Sequence, residues 1–342
     1  MKILLTSDIH DNLVAVERMR AQETNQFDAV IIAGDIGSYK AQEIFDVFSS
    51  FECPVLYVYG NWDHKLEYDT SFGANCHHLH LNPFSLGDIA FVGFSGCTAS
   101  WGRNPFAIHL RQEIDGQHPG IVSELSAARS HQDQVTSVIE AEYASALEEL
   151  MASSRRKPSR AKIAVLDEQR RVKLYAVGDE VARLKNSEAF SRYENDLSGV
   201  TVAAQNLNRT ALADLLKGTN RQVSRTVVVT HDRLSKTQEG FSGVPVFLFG
   251  HRHGFNETNF QGAQYVNVSV LDNRLLLRSR AVADARRRRE FKNLNTGNYG
   301  VMEWTQQLGF TFRRVDLEIY PSWQDEWEVE EDFRKQGAPF LA

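Results

Sequence analysis

Five short motifs place acidic, imidazole and amide side chains at separate points along the chain. They are Asp8-Ile9-His10, Gly34-Asp35, Gly60-Asn61-Trp62-Asp63, Thr230-His231 and Gly250-His251-Arg252-His253. Carboxylate and imidazole groups suit divalent transition metals, and manganese, iron and zinc all accept such donors. We therefore predict a site for two divalent metal ions, with manganese favoured.

The motifs divide into two ligand sets that share one carboxylate. The first metal would be bound by Asp8, His10, Asp35 and His253. Asp35 would bridge to a second metal, bound by Asn61, His231 and His251. Two cations about 3.5 to 4 Å apart can activate a water and neutralise phosphoryl oxygens. The chemistry expected is hydrolysis of a phosphoester by a metal-bridging hydroxide, with Asn61 helping to hold the phosphoryl group.

Each motif directly follows an apolar run that is typical of a strand. The runs are residues 2–6, 27–33, 54–59, 225–230 and 245–249. Helical spacing over residues 13–19 and 41–48 predicts crossover helices between the first three strands. Such units imply parallel strands, and ligands gather at the carboxyl ends of parallel strands. We expect all five motifs on one rim of an α/β sheet.

The rest of the chain suggests an interrupted core. Residues 86–94, 264–271, 299–304 and 310–319 are predicted strands, the last three in a second sheet or at its edge, whereas 121–152 and 203–216 are predicted helices. We therefore expect a core formed by residues 1–96 and 224–319. A mostly helical insertion over 97–223 could cap the rim, and residues 320–342 form a C-terminal tail.

Composition predicts a soluble, cytoplasmic protein. With 342 residues and 42% hydrophobic content, the chain can bury a sizeable core, and its net charge of -6 gives no overall attraction to nucleic acid or anionic membranes. Three cysteines, Cys53, Cys76 and Cys97, indicate neither a disulfide framework nor a thiolate metal site. The apolar run at residues 3–5 is too short for a signal peptide or a membrane span.

Two basic segments are the candidate contacts for nucleic acid. Residues 155–162 carry arginines and lysines around Pro158, and residues 286–289 are four consecutive arginines. We interpret the first as a solvated connector and the second as an exposed loop between strands. The alternative for both is a surface that binds an anionic polymer.

The order Asp-x-His, Gly-Asp, Gly-Asn-x-Asp, His and Gly-His-x-His resembles the calcineurin-like metallophosphoesterase superfamily. Every metal-ligand position of that pattern has a match in this chain, over roughly residues 1–96 and 224–319. The resemblance implies a four-layer α/β/β/α sandwich with a dinuclear site on its rim.

One departure from the family pattern bears on the substrate. Many members have a histidine directly after the Gly-Asn pair, where it is thought to protonate the leaving group, and here that residue is Trp62. A tryptophan cannot donate a proton in this role, so we favour a phosphodiester as substrate. His64 is a candidate replacement, or else a surface residue. Asp63 matches an acid that would orient a ligand through a hydrogen bond.

Two other functions remain open at this stage. A nuclease of the same superfamily would use the basic segments to bind DNA or RNA. A non-catalytic protein-binding scaffold, like the retromer subunit that resembles this family, would have lost metal ligands, and none is missing here. We expect a rim or structural role for Arg252. Surface positions are expected for His77, His78, His80, His109, His118 and His131.

Overall fold

The computed structural model describes residues 1–99, 103–152, 160–218, 223–234, 240–272, 274–281, 286–293, 297–318 and 327–333. The strands are β1 (Lys2–Thr6), β2 (Ala29–Ala33), β3 (Val55–Val58), β4 (Cys76–His78), β5 (Phe84–Leu86), β6 (Ile89–Phe94), β7 (Thr226–Thr230), β8 (Val246–Phe249), β9 (Asn256–Phe260), β10 (Ala263–Asn267), β11 (Arg274–Ala281), β12 (Arg286–Asn293), β13 (Asn298–Thr305), β14 (Gly309–Asp316) and β15 (Trp327–Phe333). The helices are α1 (Leu13–Gln22), α2 (Ala41–Ser49), α3 (Pro105–Gln117), α4 (Pro119–Ala152), α5 (Arg160–Val177), α6 (Asp179–Lys185), α7 (Glu188–Ser198) and α8 (Val200–Gly218).

Two six-stranded sheets carry the motifs. The first has the order β14-β13-β1-β2-β3-β4, in which β1 to β4 are parallel and β13 pairs antiparallel with β1. The second has the order β5-β6-β7-β8-β10-β9, in which β6, β7, β8 and β10 are parallel. β11, β12 and β15 form a third, three-stranded sheet. The motif-bearing strands thus lie side by side within each of the first two sheets.

Alternation along the strands builds four layers. Ile3 and Leu5 of β1 pack in one apolar cluster with Val229 and Leu248 of the second sheet, whereas Leu4 faces the opposite way. Successive side chains of a strand point to opposite faces, so each sheet has two apolar faces to cover. The outer faces are covered by α1 and α2 on the first sheet and by α8 on the second. This is the α/β/β/α sandwich that the motif pattern implies.

Helix ends are marked by local sequence signals. The Asn12 side chain caps α1 by accepting the Ala15 N–H at 3.1 Å, directly after the first motif. Helix α3 starts at Pro105, and the side chain of the preceding residue, Asn104, accepts the backbone N–H groups of Phe106 and Ala107. Apolar residues at helical spacing in α2 place Ile44, Phe45 and Phe48 in the core.

The chain divides into two compact units. Unit 1 comprises residues 1–110, 200–277 and 291–328, and unit 2 comprises residues 111–199, 278–290 and 329–342. In unit 2, α4 packs on α5, α6 and α7, with a small core at Ile121, Leu125 and Tyr193. Arg170 pairs with Glu140 at 2.6 Å, linking α5 to α4. No helix in the described part of the chain is both long enough and apolar enough to cross a membrane.

Several details differ from the sequence-based expectations. The predicted strand over residues 86–94 is a hairpin, because Gly87 turns the chain between β5 and β6 with a φ of 55°. Residues 286–289 start strand β12, so the prediction of a loop there was wrong. Within the predicted insertion, α8 packs on the second sheet in unit 1. Most of the basic segment 155–162 lies outside the described residues.

Candidate metal centre

The rim residues have an unusual backbone. φ is positive at Asp8 (52°), His10 (53°), Asp35 (56°), His251 (67°) and His253 (45°). Non-glycine residues rarely adopt this left-handed conformation, which costs roughly 1 to 3 kcal/mol each and recurs at functional sites. The chain turns sharply as it leaves β1, β2 and β8, and these turns aim the polar side chains at one another.

Gly60 is required by close packing at the centre. A Cβ atom on Gly60 would lie 2.3 Å from Asp35 Oδ1 and 2.7 Å from the His231 ring. Any larger residue would push these two side chains apart. The glycine of the Gly-Asn motif therefore allows the third strand end to approach the other two.

The first half of the centre contains Asp8, His10 and His253. Asp8 Oδ1 lies 3.5 Å from His253 Nε2 and 3.9 Å from His10 Nε2. The Asp8 carboxylate is fully buried, and it accepts the Ser7 hydroxyl at 2.7 Å and the backbone N–H of His251 at 3.1 Å. One donor atom from each of the three side chains lies within 4.8 Å of the others.

Asp35 lies between the two halves. Its Oδ2 is 3.2 Å from His10 Nε2 and 3.3 Å from His231 Nε2, while its Oδ1 accepts the Trp62 N–H at 2.8 Å. The carboxylate is fully buried. One oxygen thus contacts an imidazole from each ligand set, as a bridging carboxylate would require.

The second half contains Asn61, His231 and His251. His231 Nδ1 donates to the Ala33 carbonyl at 2.9 Å, so in the neutral ring Nε2 is the nitrogen with a lone pair. That Nε2 lies 3.2 Å from Asn61 Oδ1. The His251 ring lies edge-on to the His231 ring, with centroids 5.1 Å apart. All seven predicted ligands therefore lie in one cluster at the strand ends.

The electrostatics of the cluster favour cations. Burial opposes charge on His10, but hydrogen bonds to Asp272 and Asp35 outweigh it and raise its pKa to about 10. Burial likewise opposes charge on His231, and the Asp35 carboxylate outweighs it, raising the pKa to about 9. Burial would raise the pKa of Asp35, but the two imidazoles hold it well below its usual range. Buried carboxylates that raise the pKa of neighbouring imidazoles in this way are suited to divalent metal ions, which can take the place of the protons.

Asp63 stabilises the backbone that carries the ligand cluster. Its carboxylate accepts the backbone N–H groups of Gly60 at 2.7 Å, Gly37 at 2.8 Å and Asp35 at 2.9 Å. Burial, followed by the nearby Asp35 carboxylate, raises the pKa of Asp63 to about 7. The contacts of Asp63 therefore hold two strand ends together and fix the backbone of Asp35.

Trp62 and His64 occupy different environments. The Trp62 indole packs against the His10 ring, with centroids 4.5 Å apart and an interplanar angle of 33°. His64 contacts the backbone of Trp62 and Asn61, and burial lowers its pKa. Trp62, at the position where many family members have the leaving-group histidine, thus lies beside His10 of the first half. Arg252, for which a rim or structural role was expected, is exposed.

Asp272 and Arg274 were missed from sequence. Asp272 Oδ2 lies 3.2 Å from His10 Nδ1, and its Oδ1 accepts Arg274 Nε at 2.9 Å and Asn12 Nδ2 at 2.8 Å. Arg274 also donates to the His10 carbonyl at 2.8 Å. Asp272 follows the apolar run 264–271, so the rule that located the motifs, a polar residue after a strand-like run, would have found it.

Two further acids near the motifs were also missed. Asp11, adjacent to the first motif, accepts the N–H groups of Tyr39 and Lys40 at 2.8 and 2.9 Å. Asp232, adjacent to His231, accepts both the N–H and the hydroxyl of Thr98 at 2.7 Å. Both carboxylates fix loops beside the ligand cluster.

His78 and His80 are only partly exposed and contact interior groups, which differs from the surface positions expected for them. His78 Nε2 lies 2.6 Å from the Ser95 hydroxyl, and His80 Nδ1 accepts the Ser95 N–H at 3.1 Å. Burial lowers the pKa of His78 to about 4 and that of His80 to about 3. Both rings pack against tyrosines. These contacts could not be predicted from the sequence, because neither histidine belongs to a recognisable motif.

Comparisons with known proteins agree with the motifs. The model of the calcineurin-like phosphoesterase superfamily domain matches residues 1–157. No curated protein sequence matches the chain. Similar solved structures include the protein TT1561 of Thermus thermophilus, with 12% identity and a TM-score of 0.38, covering 93% of this chain and 99% of that one.

Two further structures are similar at the same distant level. A predicted phosphoesterase from Streptococcus pneumoniae has 11% identity and a TM-score of 0.29, covering 97% of each chain. The phosphopantetheinyl hydrolase of Mycobacterium tuberculosis has 12% identity and a TM-score of 0.33, covering 78% of this chain and 88% of that one. Likenesses this distant say nothing about substrate. Residues 1–157, which carry the first three motifs, match the calcineurin-like phosphoesterase superfamily domain, and the order of all five motifs resembles that superfamily.

Proposed function

We propose that this chain hydrolyses a phosphodiester at a centre for two divalent metal ions. The observation that supports this most directly is the position of the buried Asp35 carboxylate between two imidazoles. Its Oδ2 lies 3.2 Å from His10 Nε2 and 3.3 Å from His231 Nε2. A single carboxylate shared by both ligand sets is what a dinuclear centre needs.

The chain's own residues have distinct parts in this proposal. Two bound cations would neutralise the phosphoryl oxygens and supply the bridging hydroxide that attacks phosphorus. Asp8 and Asp35 provide buried negative charge that attracts and holds cations. The Ala33 carbonyl fixes the ring orientation of His231 so that Nε2 faces Asn61. Asn61 offers its amide oxygen to the second metal and its N–H₂ group to a phosphoryl oxygen.

Trp62 supports a diester rather than a monoester. Its indole lies against His10, beside the first-half ligands, and cannot protonate a leaving group. It presents an apolar surface where other family members would present an acid. A phosphodiester carries an organic group on both sides of phosphorus, and one of these can pack on the indole. We therefore expect substrates with good leaving groups to react fastest.

A substrate panel tests the proposal. The purified chain, loaded with Mn²⁺, would be assayed with bis-p-nitrophenyl phosphate, p-nitrophenyl phosphate, cyclic nucleotides, single-stranded DNA and RNA. We expect the diester to be hydrolysed faster than the monoester. Hydrolysis of the monoester alone would overturn the diester assignment. Preferential, salt-sensitive cleavage of the polynucleotides would instead favour the nuclease, and metal-free, inactive protein would favour the scaffold.

His64 is proposed as the leaving-group acid in place of Trp62. Burial lowers the pKa of the His64 imidazole, whose ring contacts the backbone of Trp62 and Asn61. We expect His64→Ala to slow diesters with poor leaving groups by about tenfold and to leave bis-p-nitrophenyl phosphate unaffected. An equal effect on both substrates would indicate a structural role for the ring.

A further inference from the structure

We infer that Cys97 is a thiolate ligand of the second metal and makes that position selective for zinc. This inference rests on the proposed dinuclear centre. Cys97, His231 and His251 form a cluster in which one donor atom of each lies within 4.8 Å of the others. Cys97 is fully buried, so its sulfur lies among protein atoms at the second half rather than in solvent.

The distances suit a shared cation. Cys97 Sγ lies 3.8 Å from His251 Nδ1 and 4.0 Å from His251 Nε2. With Zn–S near 2.3 Å and Zn–N near 2.0 Å, tetrahedral geometry separates sulfur and nitrogen ligands by roughly 3.5 Å. A movement of a few tenths of an ångström would complete the geometry.

Strand pairing explains how the three side chains meet. β6 and β7 are parallel neighbours, with Phe94 opposite Thr230. Cys97 and His231 follow these two positions and therefore leave the sheet at the same end. The loop that carries Cys97 is fixed where Thr98 donates twice to Asp232 at 2.7 Å. The Ala99 N–H points at Sγ from 3.4 Å, which further fixes the sulfur.

Coordination by this residue is a balanced proton exchange. The S–H bond breaks, a sulfur–metal bond forms from the same electron pair, and the proton leaves to solvent. Cysteine spacing along the sequence does not reveal the site, because the imidazole partners come from the ends of β7 and β8. A search limited to Cys-x-x-Cys patterns would miss it.

The donor sets of the two halves then differ in metal preference. Thiolate sulfur favours zinc over manganese, whereas carboxylate and imidazole donors accept either. The first half, with Asp8, His10 and His253, provides oxygen and nitrogen only. We therefore expect zinc in the second half whenever both metals are available, in place of the manganese expected from the oxygen and nitrogen motifs alone.

Cobalt substitution tests the inference without an activity assay. The metal-depleted full chain would be titrated with Co²⁺ and followed by absorption. We expect an ultraviolet thiolate-to-cobalt charge-transfer band in the natural protein and in the matched control Cys76→Ser, and its loss in Cys97→Ser. Visible cobalt bands that persist in Cys97→Ser would show that the centre is still folded. A charge-transfer band that survives Cys97→Ser would overturn the inference.

A second variant covers the case in which Cys97→Ser fails to fold or to bind metal. Cys97→Asp replaces sulfur with oxygen and should still bind metal at the second half. Competition between Zn²⁺ and Mn²⁺ should then shift toward manganese by at least about tenfold, the smaller end of what altered metal surroundings produce. In the natural protein, two bound cobalt ions without the charge-transfer band would refute the role of Cys97 alone. A chain that binds no metal would refute the dinuclear centre itself.

Discussion

The two halves of the candidate centre are supported by networks of opposite character. Behind the first half, His10 contacts the Asp272 carboxylate, which pairs with the guanidinium of Arg274 at 2.9 Å. Behind the second half, the backbone N–H of Tyr59 donates to the Ser95 hydroxyl at 2.7 Å, and Ser95 contacts His78. The first network is charged, and the second is built from groups that are neutral at pH 7.

The difference illustrates two ways of holding a candidate metal ligand. A carboxylate behind an imidazole fixes its tautomer and makes its other nitrogen a better donor. A hydroxyl that accepts a backbone N–H fixes only the position of the chain, here the residue before Gly60-Asn61. The first half is therefore tuned electronically through Asp272. In the second half, the Asp232 carboxylate lies 3.9 Å from His251 Nε2, whereas the Ser95 network fixes only the position of the chain.

Asp35→Asn should cause the largest loss, because it removes the one group common to both halves. An amide cannot bridge two cations as a carboxylate does, so both metals should bind weakly. We expect kcat/KM for bis-p-nitrophenyl phosphate to fall at least about 10³-fold. Metal content and steady-state kinetics measure the effect. Asp46→Asn, an exposed change in α2, is the matched control and should behave as the natural protein does. Full activity in Asp35→Asn would remove the basis for the comparison.

Changes confined to one half should separate the two metals. Asp8→Asn should lower metal content from two ions per chain to one by removing the first, and His231→Asn should do so by removing the second. Metal analysis after gel filtration gives the stoichiometry, and cobalt absorption identifies the half that is still filled. Each variant should lose roughly 10²-fold or more in kcat/KM, since both ions contribute to transition-state charge stabilisation. Loss of both ions from either variant would show that the halves do not bind independently.

Asp272→Asn should weaken the first half selectively. The His10 imidazole would lose a charged partner on Nδ1, and outer partners of this kind are worth about 10- to 100-fold in metal affinity. Calorimetric titration of metal should show the affinity of one binding step lowered and that of the other unchanged. Asp232→Asn, which alters a carboxylate beside the second half, is the reciprocal variant. An equal loss at both steps in Asp272→Asn would argue against separate support of the two halves.

The sequence predicted which rim residues cluster better than it predicted the groups that support them. Asp8, Asp35 and His231 follow apolar runs, and parallel pairing alone brings the ends of such runs together. Local sequence could not predict that His78 and Ser95 would meet, because they come from β4 and the loop after β6. The four layers followed from the family pattern rather than from periodicity, since apolar runs such as β1, buried on both faces, show no alternation.

Some predictions rested on local sequence alone and missed pairing between strands that are distant in the chain. The arginines at 286–289 suggested a loop, yet they start β12, because backbone pairing with β11 and β15 needs no apolar side chains. Asp272 follows the apolar run 264–271, so the strand-end pattern shared by the five motifs extends to this residue. Arg274 cannot be linked to His10 from spacing, since the two are 264 positions apart.

The neutral network behind the second half should make the fold acid-sensitive. The pKa of His78 falls from an ordinary value of 6.5 to about 4 on folding, because its ring is buried. The unfolded chain therefore binds the proton more readily, so this stability is complete above pH 6.5 and is lost as the pH falls toward 4. The loss should be about 1.4 kcal/mol per pH unit across this window. Urea unfolding at several pH values measures the free energy of unfolding of the natural protein and of His78→Gln. The difference between the two proteins at pH 8 gives the pH-independent cost of the substitution. Parallel stability curves from pH 8 to pH 5 would show that His78 does not contribute, leaving the neutral network without its predicted weakness.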